Sequence, residues 1–439
     1  MKTARCASKK EFFRPWVLAL VLCISIPAFP DYIAPLLAGG AFLLARRDAR
    51  QHHRPMTFGT TAKPLILFLL YMCIGVLYAK TPLMSFGTVL MWVVMFLVYV
   101  SITTVVTTPS RLETALFSIT LVTGLIGLIG TLQYLLRMAG VSVSFQFWEW
   151  IDRAVYEIFP FSVNLNVTGN RACATFANPN VLGEYLVIAL PFVIYYSFCI
   201  ARDRWRLFSR LCLLTSVTAL IFTFSRGSYL GALVVVLIFG IANIKSLQPM
   251  VLGGISALLL MPDSVWSRLL VTRSMDKAVT ERLDVWEISA NLIAQDPLFG
   301  SGPGVQYIWN VLSANSIAAP HAHNLILQLL IEGGAVGLCL MLFIGWQLVR
   351  HVLEMIALPH ARQTGVMIAA VTAGFCVNAM VEYPFLTPKL IGVFMMMLAL
   401  ADVMGRQLLA RPSYLLTDVL PFGSFLQKRK EDRIACMRR

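Results

Sequence analysis

Long apolar runs separated by short polar stretches fill most of the chain. A transmembrane helix needs about 20 such residues, and fewer where neighbouring helices pair as hairpins. The pattern predicts twelve spans, at 15–29, 32–45, 64–79, 83–106, 112–136, 179–200, 207–224, 228–243, 248–262, 324–349, 364–381 and 385–404. Lys2, Arg5, Lys9, Lys10 and Arg14 precede the first run as in a signal peptide. No small-x-small cleavage pattern follows, and the chain turns at Pro30-Asp31, so the first two spans are expected to form a retained hairpin. Two connections, 137–178 and 263–323, are far longer than the usual few residues, and such loops usually carry function. Residues 145–158 read as an aromatic segment lying at the membrane interface. Thr280 to Gln295 read as an amphipathic helix, closed by Asp296-Pro297 and the turn Gly300-Ser301-Gly302-Pro303-Gly304.

Composition settles the class. Apolar residues make up 58% of the chain and charged residues 13%, with a mean hydropathy of +0.74. A soluble domain carries roughly 25% charged residues. The expected fold class is therefore an all-α polytopic membrane protein of twelve transmembrane helices. Its parts are N-terminal transmembrane helices in 1–262, a large outer loop in 263–323, C-terminal transmembrane helices in 324–405 and a basic tail in 406–439. The net charge of +14 does not indicate nucleic acid, because the basic residues sit in short clusters between apolar runs. Of the 36 Lys and Arg, 26 fall on one side of the twelve-span arrangement and ten on the other. The richer side is cytoplasmic, which places both termini inside and both long connections outside. The nine cysteines show no CxxC and no Cys/His pairing, so neither a zinc site nor a disulfide framework is signalled. No inverted repeat of the transporter kind is present.

Chemistry is sought among the outer polar residues. Arg226, in Phe224-Ser225-Arg226-Gly227-Ser228-Tyr229-Leu230-Gly231, lies at a helix mouth where lipid exposure is costly. It faces a wet cavity or a bound anion, or else snorkels to headgroups. Gly227 and Gly231 allow close helix approach below it. Arg282 shares a helix face with Trp286. It is an anion contact, or a cation–π partner of Trp286, or a surface salt bridge to Glu281 or Asp284. His323, in Pro320-His321-Ala322-His323-Asn324, opens a long apolar helix that continues through Gln328 and Glu332. A histidine there is a natural general base, or a simple cap. His321 and His323 supply only two metal ligands, with no third in sequence reach, so no metal is expected. Arg171 precedes Asn178-Pro179-Asn180, where Asn178 fits an N-cap with proline at the first helical position. Glu184 is expected to pair with an arginine inside the membrane. Glu382, in Val381-Glu382-Tyr383-Pro384, is another acid at the outer mouth. No Asp-x-Asp stands in either long outer connection, and no Walker loop is present.

The order of these pieces resembles the O-antigen ligase and polymerase superfamily. The matching motifs are Phe176-x-Asn178-Pro179-Asn180-x-x-Gly183, Ser225-Arg226-Gly227-x-x-x-Gly231, Arg282-x-x-x-Trp286, Pro297-Leu298-x-Gly300-x-Gly302-x-Gly304 and His323-Asn324-x-x-Leu327-Gln328-x-x-x-Glu332-x-Gly334-x-x-Gly337. The resemblance implies a fold related to the GT-C glycosyltransferases and a place in the bacterial inner membrane. It also implies metal-independent transfer of a glycan from undecaprenyl diphosphate to an acceptor hydroxyl at the periplasmic face, with no cofactor. On that pattern Arg226, Arg282 and, more loosely, Arg171 contact the diphosphate, and His323 is the catalytic base. Asn324, Gln328, Glu332, Glu184 and Glu382 are secondary candidates. A ligase uses a lipid A–core acceptor. A polymerase of O-antigen, exopolysaccharide or capsule repeats extends another lipid-linked unit, with a flippase and a chain-length regulator as partners. The alternative of another class is an anion or lipid transporter built on Glu184 and Arg226.

Overall fold

The computed structural model describes residues 14–141, 171–242, 277–411 and 413–419. Among these the chain is helical, and the one strand-like feature is an isolated bridge between Phe58 and Tyr414. The helices are α1 (Pro15–Ser25), α2 (Ala34–Gln51), α3 (Ala62–Gly75), α4 (Pro82–Val105), α5 (Pro109–Met138) and α6 (Pro179–Tyr195). They continue with α7 (Asp203–Phe222), α8 (Arg226–Ala242), α9 (Lys277–Gln295), α10 (Gln306–Ala314), α11 (Leu325–Ala357), α12 (Arg362–Ala379) and α13 (Pro388–Leu408). Proline at the first helical position starts α4, α5, α6 and α13, where its missing N–H and fixed φ cost nothing. Thr108, Asn178, Asn324 and Thr387 cap their helices through side-chain oxygens.

Six helices among the described residues are long and apolar enough to cross a membrane: α4, α5, α6 with the turn that extends it to Ile200, α7, α11 and α13. Pro15–Ala28, α3 and α8 are shorter apolar helices. This is fewer than the twelve expected spans, for physical reasons that differ by element. The 14 residues of α3 rise about 21 Å, short of a hydrocarbon core of about 30 Å. The second half of α2 carries Arg46, Arg47, Asp48 and Arg50, and α12 has polar ends. The expected span 248–262 and the aromatic segment 145–158 lie outside the described residues.

α6 and α13 are almost wholly buried and form the centre, while α7 exposes most of its surface. Lipid gives apolar side chains no reason to leave it, so such helices hold together by close packing. Small residues supply it: a Cβ on Gly127 of α5 would stand 2.6 Å from the Ser216 backbone of α7. Gly231 of α8 sits against Gly374 of α12, where an added Cβ would come within 3.0 Å of its carbonyl. Leucines such as Leu36, Leu77, Leu207 and Leu342 face outward, as lipid contact requires.

The segment carrying α9 and α10 packs separately. Val285 and Leu292 of α9 and Ile308 and Leu312 of α10 bury against Ala322 and Ile331 at the start of α11. Gly334 breaks α11 with φ 59° and ψ −162°. The glycine-rich turn fills that break: the N–H groups of Ser301 and Gly302 donate to Ile331 and Glu332, and those of Ala335 and Val336 to Pro297 and Leu298. A Cβ on Gly300 would meet the Glu332 backbone at 2.7 Å, so the motif is a brace for the kinked helix.

Candidate functional site

Four chain segments and α9 converge at one end of the bundle, where α11 begins. Left-handed backbone at a non-glycine residue is strained, and it recurs here: Ala174 (φ 51°), Phe224 (φ 51°) and His323 (φ 48°) each lie in a segment that delivers a candidate side chain. Such strain persists only where surrounding packing over-determines it. Asn324 helps to do so: its Oδ1 accepts from Ile326 and Leu327 N–H, and its Nδ2 donates to the Met380 carbonyl. Capping therefore belongs to Asn324, which frees His323 from that duty.

Glu382 is the hub. The residue is 4% exposed, and its carboxylate takes three hydrogen bonds. Oε1 accepts from Arg282 Nη2 at 3.0 Å and Asn180 Nδ2 at 2.8 Å, and Oε2 lies 3.1 Å from His323 Nδ1. Burial favours the neutral acid, but the His323 hydrogen bond and the Arg282 guanidinium outweigh it and hold the carboxyl below its usual range. An ionised carboxylate only accepts, so the proton at that contact sits on His323 Nδ1. In the neutral ring, His323 Nε2 then carries the lone pair. Arg171 joins through Asn180, donating Nη2 to Asn180 Oδ1 at 2.6 Å and Nε to the Thr223 carbonyl at 2.7 Å. Arg226 is exposed at the start of α8, and the next residue, Gly227, packs on Val381 so closely that a Cβ would fall 2.4 Å away. Both flank the Glu382 segment.

Several expectations change here. Arg282 pairs with Glu382, 100 residues away, and Trp286 Nε1 donates to the Ala322 carbonyl at 3.0 Å. The expected arginine partner of Glu184 is also revised: its Oε2 is buried with no hydrogen-bond partner, and the nearby Glu382 holds the arginine. Gln328 and Glu332 brace the kink, since Glu332 accepts from Gly304 N–H, Gln328 Nε2 and Tyr383 OH, while Gln328 accepts from Ala322 N–H. The third metal-ligand type thought missing is present, because His321, His323 and Glu382 offer atoms within 4.8 Å of one another. Arg282 on the same carboxylate opposes a cation there. Asn180 escaped the sequence reading, in which Asn178 absorbed the Asn-Pro-Asn signal.

His321 is buried and accepts from the His323 N–H through Nδ1 at 3.1 Å. Burial, with His323 beside it, pushes its pKa from 6.5 to about 3, so the folded protein holds it neutral. Below pH 6.5 the unfolded chain takes a proton that the folded chain refuses. Stability is therefore lost as pH falls from about 6.5 towards 3, by up to about 1.4 kcal/mol per pH unit. Melting temperatures measured across that window should show a shallower slope in His321→Asn; an unchanged slope would assign the acid sensitivity elsewhere.

Residues 211–342 match a family model described as O-antigen ligase. No curated protein matches the chain. The matched stretch contains Arg226, Arg282 and His323, whereas their partners Glu382 and Asn180 lie outside it. Together with the apolar helices, the match supports a multi-pass membrane protein of the glycan-transferase kind, working with a lipid-linked glycan donor and a glycan acceptor, and it supports membership of the O-antigen ligase and polymerase superfamily.

Proposed function

We propose that the protein transfers an oligosaccharide from undecaprenyl diphosphate to an acceptor sugar hydroxyl at the periplasmic face of the inner membrane, on a GT-C-related fold and without a metal. The observation that carries this reading is the Arg282–Glu382–His323 chain of contacts at the mouth of α11. His323 Nε2 takes the proton of the acceptor hydroxyl as its oxygen attacks the anomeric carbon. The bond from that carbon to the diphosphate breaks, and charge grows on the leaving lipid diphosphate. Arg282 gives Glu382 one donor and has no other hydrogen bond among the described residues, so the rest of its fork can meet that charge. Arg226, on the neighbouring rim, is the second diphosphate contact, and Arg171 braces Asn180. A lipid A–core acceptor, hence a ligase, is the preferred assignment.

Purified protein supplied with a lipid-linked oligosaccharide tests the reaction, and offering lipid A–core or a second lipid-linked unit separates ligase from polymerase. Turnover is expected to survive exhaustive EDTA. Loss in chelator with recovery in Mg²⁺ or Mn²⁺ would instead recruit His321, His323 and Glu382 as ligands. Arg282→Ala and Arg226→Ala should each weaken donor binding by roughly 1.5–3 kcal/mol, one charge-assisted contact. Lysine should rescue only in part, because a point charge lacks the bidentate fork.

The sidedness has its own test. Single cysteines at Ser316 and Ser413, in a background cleared of exposed cysteines, should label differently in intact cells. Membrane-impermeant reagent should reach residue 316 alone, and equal labelling would reject the arrangement.

A further inference from the structure

A cavity of about 490 Å³ opens at the other end of the bundle, lined by Lys63, Arg350 and Arg411 together with Thr60, Glu354 and Asp418. Arg350 stands 25 residues along α11 from Leu325, roughly 38 Å from the His323 mouth by helical rise. The three cations come from three distant stretches, within 46–63, 350–363 and 406–439, which the Lys and Arg distribution expects on the cytoplasmic side. Both acids are engaged. Glu354 pairs with Arg411 and, at 3.7 Å, with Arg350, while Asp418 accepts from the Leu415 N–H at 2.7 Å. Lys63 has no hydrogen bond or ion pair among the described residues and is exposed to the cavity mouth. The floor is fixed: Thr60 Oγ1 donates to the buried Asp402 at 3.0 Å and contacts His351 Nε2 at 2.6 Å.

We propose that this cavity seats the phosphate headgroup of an anionic phospholipid from the cytoplasmic leaflet. Two features select a lipid over a soluble anion. A basic pocket between transmembrane helices on the cytoplasmic side suits an anionic headgroup. Its wall is also continuous with an apolar outer face: Trp346, Val349 and Leu353, at helical spacing beside Arg350 and Glu354, are 56%, 42% and 60% exposed. Acyl chains lying on that stripe bring a headgroup to the cavity mouth. Lys63 and Arg350 then contact the phosphate, with Arg411 held behind them by Glu354 and by Thr60 at 3.4 Å. The site is independent of the transfer reaction at the opposite face.

The full chain in vesicles of phosphatidylcholine with a minor share of phosphatidylglycerol, followed by native mass spectrometry, reads the retained lipid. Phosphatidylglycerol should be retained over phosphatidylcholine. Lys63→Gln and Arg350→Gln should each lower that preference about fivefold, one cationic contact apiece. Arg206→Gln, at the solvent-exposed start of α7, should leave it unchanged. Melting temperature in pure phosphatidylcholine, equal for all variants, excludes misfolding as the cause. A double variant that keeps the wild-type preference would overturn the proposal. So would inorganic phosphate that displaces phosphatidylglycerol and stabilises the protein as well as the lipid does, because the site would then belong to a free anion.

Discussion

His323→Ala should cut glycan transfer by about 10²–10⁴-fold, the usual range for losing a general base, while donor binding stays near the wild-type value. The division follows from the contacts. His323 touches Glu382 through Nδ1, and its other nitrogen is the one left to accept a proton. The arginines proposed to meet the donor are elsewhere, on α9 and at the start of α8. A donor-binding measurement in the arginine variants and in His323→Ala therefore separates two classes of defect: weak binding in the first, slow chemistry with intact binding in the second. His323 also holds a left-handed backbone at φ 48°, which alanine tolerates poorly and asparagine well. His323→Asn keeps that turn without a ring base, so it should be as inactive as alanine yet fold at least as well. Full turnover in either variant, at unchanged protein level, would remove the histidine from the reaction and leave Glu184, a buried carboxylate near Glu382, as the next group to try.

The helices were legible because apolar length is a local property. Expected spans at 83–106, 112–136 and 207–224 correspond to α4, α5 and α7, and the amphipathic stretch from Thr280 to Gln295 lies within α9. What length could not convey was how a short or polar-ended helix such as α3 or α2 completes the bundle, since that depends on neighbours. Arg282 and His323 stood out for a similar local reason: charge at a helix mouth is expensive and needs a purpose. Their connection was invisible. Glu382 is 59 residues from His323 and 100 from Arg282, and nothing in its own segment marks it as the acceptor for both. Glu184, the acid expected to pair with an arginine, lies in the same region, but Arg282 donates to Glu382. The glycine-rich turn was visible as a motif, but its use depends on the break at Gly334, which only the packed helix reveals.

Glu382→Gln is the sharper test of that hub, because the substitution preserves shape while removing the charge and changing which atoms donate. In the native arrangement Oε1 accepts from both Asn180 and Arg282, and Oε2 faces His323 Nδ1. A glutamine has one acceptor oxygen and one donor amide. Two donors on one side demand the oxygen there, so the amide N–H₂ turns towards His323. Nδ1 must then accept, the imidazole proton moves to Nε2, and the lone pair that would take the acceptor proton is gone. Fixing the wrong tautomer while geometry is kept costs about 10⁴-fold in the serine-protease triad, and a loss approaching that size is expected here. Glu382→Asp, which keeps the charge on a shorter stem, should retain measurable activity. Glu382→Ala should also lower stability, since it leaves the half-buried Arg282, Asn180 and His323 without their common acceptor. If the carboxylate works through the histidine, His323→Ala combined with Glu382→Gln should be no slower than His323→Ala alone, because the second change removes something already lost. Multiplying losses, or a Glu382→Gln variant within about tenfold of wild type, would mean that Glu382 merely holds the segments together and that the tautomer is set by another group.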